Sequence, residues 1–311
     1  MANIFGDKWT FTSFGESHGA AIGGVLDGVP AGLHIDFAMI REELERRAGK
    51  GVTGVSPRAK NEPDEVEWLS GVITNDQSPI TNGHLVTLGT PIAFIIRNQD
   101  ARPEDYEWLK HNYRVGHADK VYEQKYGIRD WRGGGRASAR ETAARVVAGN
   151  IAKQELSQKG IEIHAELVQV GAETDPAKFA DVIAAYQCEG DSIGGIIECR
   201  ITGLPIGVGE PIFDKLQAHL AFAVMSINAC KGFEYGTGFR GVTQPGSAIN
   251  HNSGGISGGI SDGSEIIFRC VFKPTPSTPK AGVKGRHDAC VAVRAVPVVE
   301  AMTALSLVQF L

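Results

Sequence analysis

Apolar Ile161, Ile163, Ala165 and Leu167 alternate with polar Glu162, His164 and Glu166, the two-residue period of a strand with one buried face. Ile196–Thr202 and Ser264–Phe272 alternate in the same way. Trp9–Phe14 and Ile22–Leu26 read as short strands around the glycine-rich turn Gly15–Gly19. Val66–Val72 and Pro91–Arg97 read as two more, separated by the turn-rich stretch Asn75–Gly83. Elsewhere the period becomes helical. Asp36 caps a helix with Phe37, Ile40 and Leu44 on one face and Gly49 as its stop, after which Ala48–Glu62 reads as a loop. Ser138-x-x-Glu141 is a capping box that opens a helix through Ala144, Val147, Ile151 and Leu156 to Gly160. Pro211 opens a third helix ending near Met225, and Val298–Leu311 has helical spacing. Half-buried strands imply antiparallel sheets with one covered face rather than a doubly wound parallel sheet. With these helices they predict an α+β sandwich. No repeat and no linker interrupts the chain, so residues 1–311 are expected to form one domain.

Composition narrows the class. The 311 residues are 42% apolar and 22% charged, as in a globular protein, and no run approaches the ~20 apolar residues of a spanning helix. The N-terminus lacks the basic and apolar regions of a secretion signal. Five cysteines without a C-x-x-C pair argue against a disulfide framework or a zinc ribbon, and a cytosolic (cytoplasmic) protein is expected. A net charge of −5 is no footprint for general nucleic-acid binding.

The charge is unevenly spread. Arg114, Lys120, Lys125, Arg129, Arg132, Arg136, Arg140 and Arg145 crowd one segment, and Arg269, Lys273, Lys280, Lys284, Arg286 and Arg294 another that holds Asp288 alone as an acid. Two basic segments in an acidic chain point to a small, highly anionic ligand. Glycine is also enriched, 39 residues against an average near 7%, in clusters that read as turns and ligand loops.

Arg132-Gly-Gly-Gly-Arg136-Ala-Ser138-Ala-Arg140-Glu141 sets flexible glycines and two arginines before a helix start, which reads as an anion site suited to phosphate. It is neither a Walker loop nor a dinucleotide fingerprint. Gly15-Glu16-Ser17-His18-Gly19 places a serine and a histidine on a tight turn, and Gly116-His117-Ala-Asp119 and Gly285-Arg286-His287-Asp288 place two more histidines inside the basic segments. Histidine titrates near neutrality, so three such motifs resemble a proton-transfer site assembled from distant loops. A hydrolase built on Ser17 ranks low, because the adjoining histidine is poorly placed to act as its base. No metal-ligand spacing occurs among the histidines, and the arginines would repel a cation.

These motifs, with Gln124–Asp130, Met225-Ser-Ile-Asn228-Ala229, Gly254-Gly-Ile-Ser-Gly258, Lys273-Pro-Thr-Pro-Ser277 and Arg294-Ala-Val-Pro-Val, run collinearly through nearly the whole chain and resemble the chorismate synthase family. The resemblance implies a β-α-β sandwich in a homotetramer that uses reduced FMN. The implied reaction is the anti-1,4-elimination of phosphate from 5-enolpyruvylshikimate 3-phosphate, giving chorismate. It implies that His18 protonates the departing phosphate, that His117 protonates the reduced flavin, and that Asp288 with Ser17 relays a proton. It assigns FMN to Arg136, Ala137, Ser138, Asn228, Ala229, Gly258, Lys273, Pro274, Thr275, Pro276, Ser277 and Arg286, and the substrate to Arg47 and Arg140. A binding-only relative would have no need of His18, His117 and Asp288 together. The chain departs from the family at Ala48-Gly49-Lys50-Gly51, where a second arginine is expected to follow, and at Val115 and Ala289, where proline is usual. It is also some tens of residues short, at Gly171–Asp175, Gln244–Asn250 and Pro279–Lys284.

Overall fold

The computed structural model describes residues 3–74, 84–248, 253–283 and 287–311. In chain order the strands and helices are β1 (Ile4–Phe5), β2 (Thr10–Gly15), β3 (Ala21–Asp27), β4 (His34–Asp36), α1 (Phe37–Ala48), α2 (Pro57–Asn61), β5 (Val66–Ser70), β6 (Val72–Thr74), β7 (His84–Thr87), β8 (Ile92–Arg97), α3 (Asp119–Tyr126), α4 (Thr142–Gln158), β9 (Glu162–Val170), α5 (Phe179–Cys188), β10 (Gly195–Thr202), α6 (Leu216–Met225), β11 (Cys230–Tyr235), β12 (Ile256–Ser257), β13 (Ile260–Ser261), β14 (Ile266–Phe272) and α7 (Ala292–Leu307). One antiparallel sheet runs β1-β2-β3-β8-β5 and the other β11-β14-β10-β9. A smaller sheet, β4-β7-β6, and the β12-β13 hairpin complete the strands.

The central helices α4 and α7 lie between the two large sheets. α4 packs on α7, on α1 and toward β2 and β3, while α7 packs on β9 and β10. Both central helices are buried around nearly their whole circumference, as Val146, Val147, Ile151 and Leu156 of α4 and Val298, Met302 and Leu305 of α7 illustrate. Their close approach depends on Gly149, where a Cβ would stand 2.4 Å from the Ala301 Cβ. The expected α+β sandwich with covered antiparallel sheets is therefore the observed one. Among the described residues no helix is long and apolar enough to cross a membrane.

Local signals account for most elements. The Asp36 side chain accepts from the Ala38 N–H and Gly49 ends α1 in the left-handed region, as the pattern predicts. The alternating run becomes β9, paired with β10 through Ala165 opposite Cys199. Three boundaries and one cap differ most. The strand expected over Val66–Val72 breaks at Gly71 into β5 and β6, which join different sheets. The third helix starts at Leu216 rather than Pro211, because residues 211–214, Ile212 and Phe213 among them, are exposed and offer the core no buried face. α7 begins six residues earlier than expected and carries Pro297 inside it. The capping box is incomplete: Ser138 accepts from the Arg140 N–H, but Glu141 pairs with Arg145 instead of reaching back. The stretch Asn75–Gly83 lies outside the described residues.

A buried carboxylate ties the layers together. Glu300 on α7, 1% exposed, accepts from Arg46 of α1 at 3.0 Å, from Lys153 of α4 at 2.5 Å and from the edge-strand Ala165 N–H at 2.8 Å. Burial alone would push its pKa up, but the Arg46 hydrogen bond and the Lys153 charge outweigh burial and hold it below 4.5. A carboxylate depressed in the folded state contributes stability that is full above its unfolded value and is lost as pH falls through the folded value. Denaturant titrations from about pH 7 to about pH 3 should show stability falling below the ordinary carboxylate range, and Glu300→Gln should flatten that fall. An unchanged acid slope in the variant would contradict this role.

Candidate active site

The turn between β2 and β3 delivers His18 to one wall of a cavity of about 300 Å³; Ser17 does not line it but sits behind the histidine. The chain after α6 brings Asn228 and Ala229, the exit of β14 brings Lys273 and Thr275–Ser277, the approach to α7 brings Asp288, and the first turn of α7 brings Arg294. Ala137–Arg140 and Gly133 come from the segment before α4, and His117 from the turn before α3. The distant motifs thus converge. Arg136, Gly258 and Pro274 do not line this cavity, and Arg286 lies outside the described residues. Arg136 instead donates to Ser13 and to the Gly15 carbonyl, tying the glycine loop to β2.

The triglycine loop has a different local use from the one its sequence predicts. A Cβ on Gly133 would stand 2.0 Å from Cε1 and from Nδ1 of His18, and one on Gly134 would stand 2.7 Å from Cε1 of His117. The loop backbone is wedged against two imidazoles, at φ of 61° and 94°, which only glycine tolerates readily. Its two arginines have partners within the chain. Arg132 pairs with Asp130 at 2.8 Å, and Arg136 is spent on β2.

His18 is buried, with its Nδ1 3.0 Å from the Ser17 Oγ. The tight turn lets adjoining side chains meet, contrary to the expectation from their adjacency. Ser17 is only 1% exposed and lies behind the histidine, which removes it as an accessible nucleophile. The His18 ring also meets Tyr106 edge-on at 4.9 Å. Arg58 Nη1 lies 3.4 and 3.5 Å from the two ring nitrogens, and its Nη2 donates to the Ser17 carbonyl at 2.6 Å. Arg58 belongs to α2, inside the stretch read from sequence as a loop. The Ser56-Pro57 step was the signal for that helix, since proline is favoured in a first turn.

Arg47, Arg58, Arg114, Arg140, Lys273 and Arg294 line the cavity against Glu62 and Asp288. Several of these cations are held by buried acids. Asp64, left-handed at φ 51°, takes Arg47 at 3.2 Å and also accepts from Arg140. Arg47 donates further to Thr142 Oγ1 and the Ala139 carbonyl. Burial, then the charge of Arg294, push its guanidinium down to about 9 against the pull of Asp64. Asp288 accepts from the Ser56 N–H and from Arg294, both at 2.8 Å. Burial also lowers Lys273, whose Nζ donates to the Gly116 carbonyl at 3.3 Å. Ala229 holds a left-handed φ of 68° on the wall, a strained conformation of the kind that clusters at functional sites. Asn228 donates to the Ala137 carbonyl, while its buried Oδ1 has no hydrogen-bond partner among the described residues.

A cationic cavity with two histidines against one glycine loop, carried by a β-α-β sandwich, suits an enzyme acting on a small molecule. Comparison with known proteins specifies which. A family profile described as chorismate synthase matches residues 9–311. The chorismate synthase of Christiangramia forsetii is 44% identical over 99% of this chain and 97% of its own length. That of Bacteroides thetaiotaomicron is 44% identical over 100% and 98%. A crystal structure of a chorismate synthase superposes with a TM-score of 0.76 at 30% identity, covering 98% of this chain and 92% of that one. The chain belongs to the chorismate synthase family. Its class is lyase, and its place is the shikimate pathway of aromatic amino-acid biosynthesis. The alignment with the Bacteroides thetaiotaomicron protein runs over 363 positions against 311 residues here, in keeping with the shortfall read from the sequence.

Proposed function

We propose that the chain converts 5-enolpyruvylshikimate 3-phosphate to chorismate with reduced FMN, eliminating phosphate and a ring hydrogen without net redox change. The observation that carries this reading is the pair of imidazoles held by one glycine loop in a cationic cavity. The substrate's phosphate and carboxylates, and the phosphate of the flavin, are anions matched to the arginines and the lysine of the wall. Arg47 and Arg140 contribute to that field on the substrate side. The flavin also suits the unpartnered Asn228 Oδ1, because a buried acceptor left alone costs about 1–3 kcal/mol and a ring N–H satisfies it.

Ala137, Ser138, Asn228, Ala229, Lys273 and Thr275–Ser277 would hold the cofactor, with Arg136, Gly258, Pro274 and Arg286 around them. Bound in reduced form, FMN supplies transient electron density for breaking an unactivated C–H bond. His18 gives its proton to the departing phosphate, its ring oriented by Ser17. His117 holds the proton destined for the flavin, and Asp288 with Ser17 carries a proton out of the site. The folded unit is the whole of residues 1–311, acting as a cytoplasmic homotetramer. Phe213 and Phe222, 90% and 66% exposed, support the assembly, since aromatic side chains of this kind are commonly covered by a second copy.

Fluorescence titration tests the cofactor assignment. FMN should bind the wild-type protein, and Asn228→Ala should weaken binding by roughly 3–10-fold, the value of one hydrogen bond. Unaltered affinity in the variant would remove Asn228 from the cofactor site.

A further inference from the structure

Asp119 is the first residue of α3 and is almost fully buried, yet it faces the turn that carries His117. Its Oδ2 accepts from the backbone N–H and the Nε–H of Arg114 at 3.0 and 2.9 Å. Its Oδ1 accepts from Arg114 Nη2 at 2.8 Å and lies 2.8 Å from His117 Nδ1. Arg114 Nη2 in turn stands 3.2 Å from the same Nδ1. The cation fixes the carboxylate, and the carboxylate faces one nitrogen of the ring.

Nδ1 of His117 faces an acceptor and a donor, and the acceptor is nearer: Asp119 Oδ1 at 2.8 Å against Arg114 Nη2 at 3.2 Å, which already donates to that same Oδ1. A guanidinium only donates and an ionised carboxylate only accepts. Burial would raise the Asp119 pKa, but the Arg114 and His117 hydrogen bonds hold it far below the usual carboxylate range. A bare Nδ1 would set a lone pair against a carboxylate oxygen at 2.8 Å. The opposite edge of the ring, Cε1 and Nε2, lies along the Gly134 backbone on the cavity wall. Lys273 also reaches this turn, its Nζ bound to the Gly116 carbonyl.

We propose that Asp119, clamped by Arg114, is a positioning residue that keeps a proton on His117 Nδ1 and so reserves Nε2 as the proton-transferring atom at the cavity. The inference rests on the reading of His117 as an acid in the proposed reaction. Asparagine at this position exposes the mechanism. Its oxygen would stay with the two donors of Arg114 at the Oδ2 position, which turns its NH₂ toward His117 Nδ1. The ring would then have to accept there and carry its proton on Nε2, the wrong tautomer for a site that exchanges protons at Nε2.

The test is ¹⁵N NMR of sedimented, histidine-labelled protein, with His117 assigned by its loss in His117→Ala. Wild type should show a protonated Nδ1, and Asp119→Asn should move the neutral-ring proton to Nε2 and lower turnover by about 10²–10⁴-fold while FMN still binds. A bare Nδ1 in the wild-type ring overturns the proposal, and so does an unchanged tautomer or near-wild-type turnover in the variant. Should Asp119→Asn fail to fold, the wild-type spectrum alone decides. The tautomer is read without flavin or substrate, so it can fail while chorismate formation stands, and the reverse.

Discussion

Replacing His18 with alanine should lower turnover by roughly 10²–10⁴-fold, the usual contribution of a positioned acid, while FMN binding survives. His18 is the side chain of the β2–β3 turn that lines the cavity, and an imidazole can both give and take a proton. Ser17, Arg58 and Tyr106 surround the ring without depending on it for their own place in the fold. Arg58 keeps Glu62 and the Ser17 carbonyl, and Ser17 stays buried behind the turn. The loss should therefore fall on kcat, with little change in thermal stability. His117→Ala should behave likewise. A rate near that of the wild type in either variant would refute the role given to that histidine.

The second large effect is expected from a residue with no side chain. Gly133→Ala forces a methyl group to within 2.0 Å of the His18 ring at a backbone φ of 61°. Neither can yield cheaply, since Ser17 and Tyr106 hold the ring and Gly134 continues the same left-handed path. Turnover should drop about as far as in His18→Ala, because the imidazole is displaced from its working position. Gly127→Ala is the control. It has a similar φ of 76° but nothing within 4 Å, so it should cost about 1–2 kcal/mol of stability through backbone strain and leave kcat nearly intact. Equal behaviour of the two variants would mean that strain, and not contact with His18, is what the loop provides.

The triglycine loop also shows how far local pattern carries. Its composition predicted a phosphate cradle, and glycines before a helix do have that use. Here the room is taken by His18, which arrives from far along the chain, and by His117 from the turn before α3, and no pattern inside the loop reports that. The elements with their own periodicity and caps were legible: α1 between Asp36 and Gly49, α4 with its apolar run, and the alternating β9. What escaped was short or set by packing. α2 spans five residues, β4 three and β7 four, too few for a period to emerge. α3 is half-exposed and rich in charge. Arg58 was hidden in one of these, and its importance comes from a neighbour forty positions away. Asp119 stood inside a quoted motif, but its hold on His117 is a matter of side-chain geometry. The candidate site itself was read mainly through the family resemblance. The basic segments alone indicated an anionic ligand without saying which cations would be neutralised by Asp64, Glu62 and Asp288.

The central claim is that this chain forms chorismate in a reaction that needs reduced flavin. An anaerobic assay with 5-enolpyruvylshikimate 3-phosphate, following chorismate by absorbance with and without chemically reduced FMN, tests it most directly. The account predicts chorismate and an equal amount of phosphate when reduced FMN is present, and neither when it is left out. Chorismate formed at the same rate without flavin, or no chorismate from protein shown to bind reduced FMN, would contradict it.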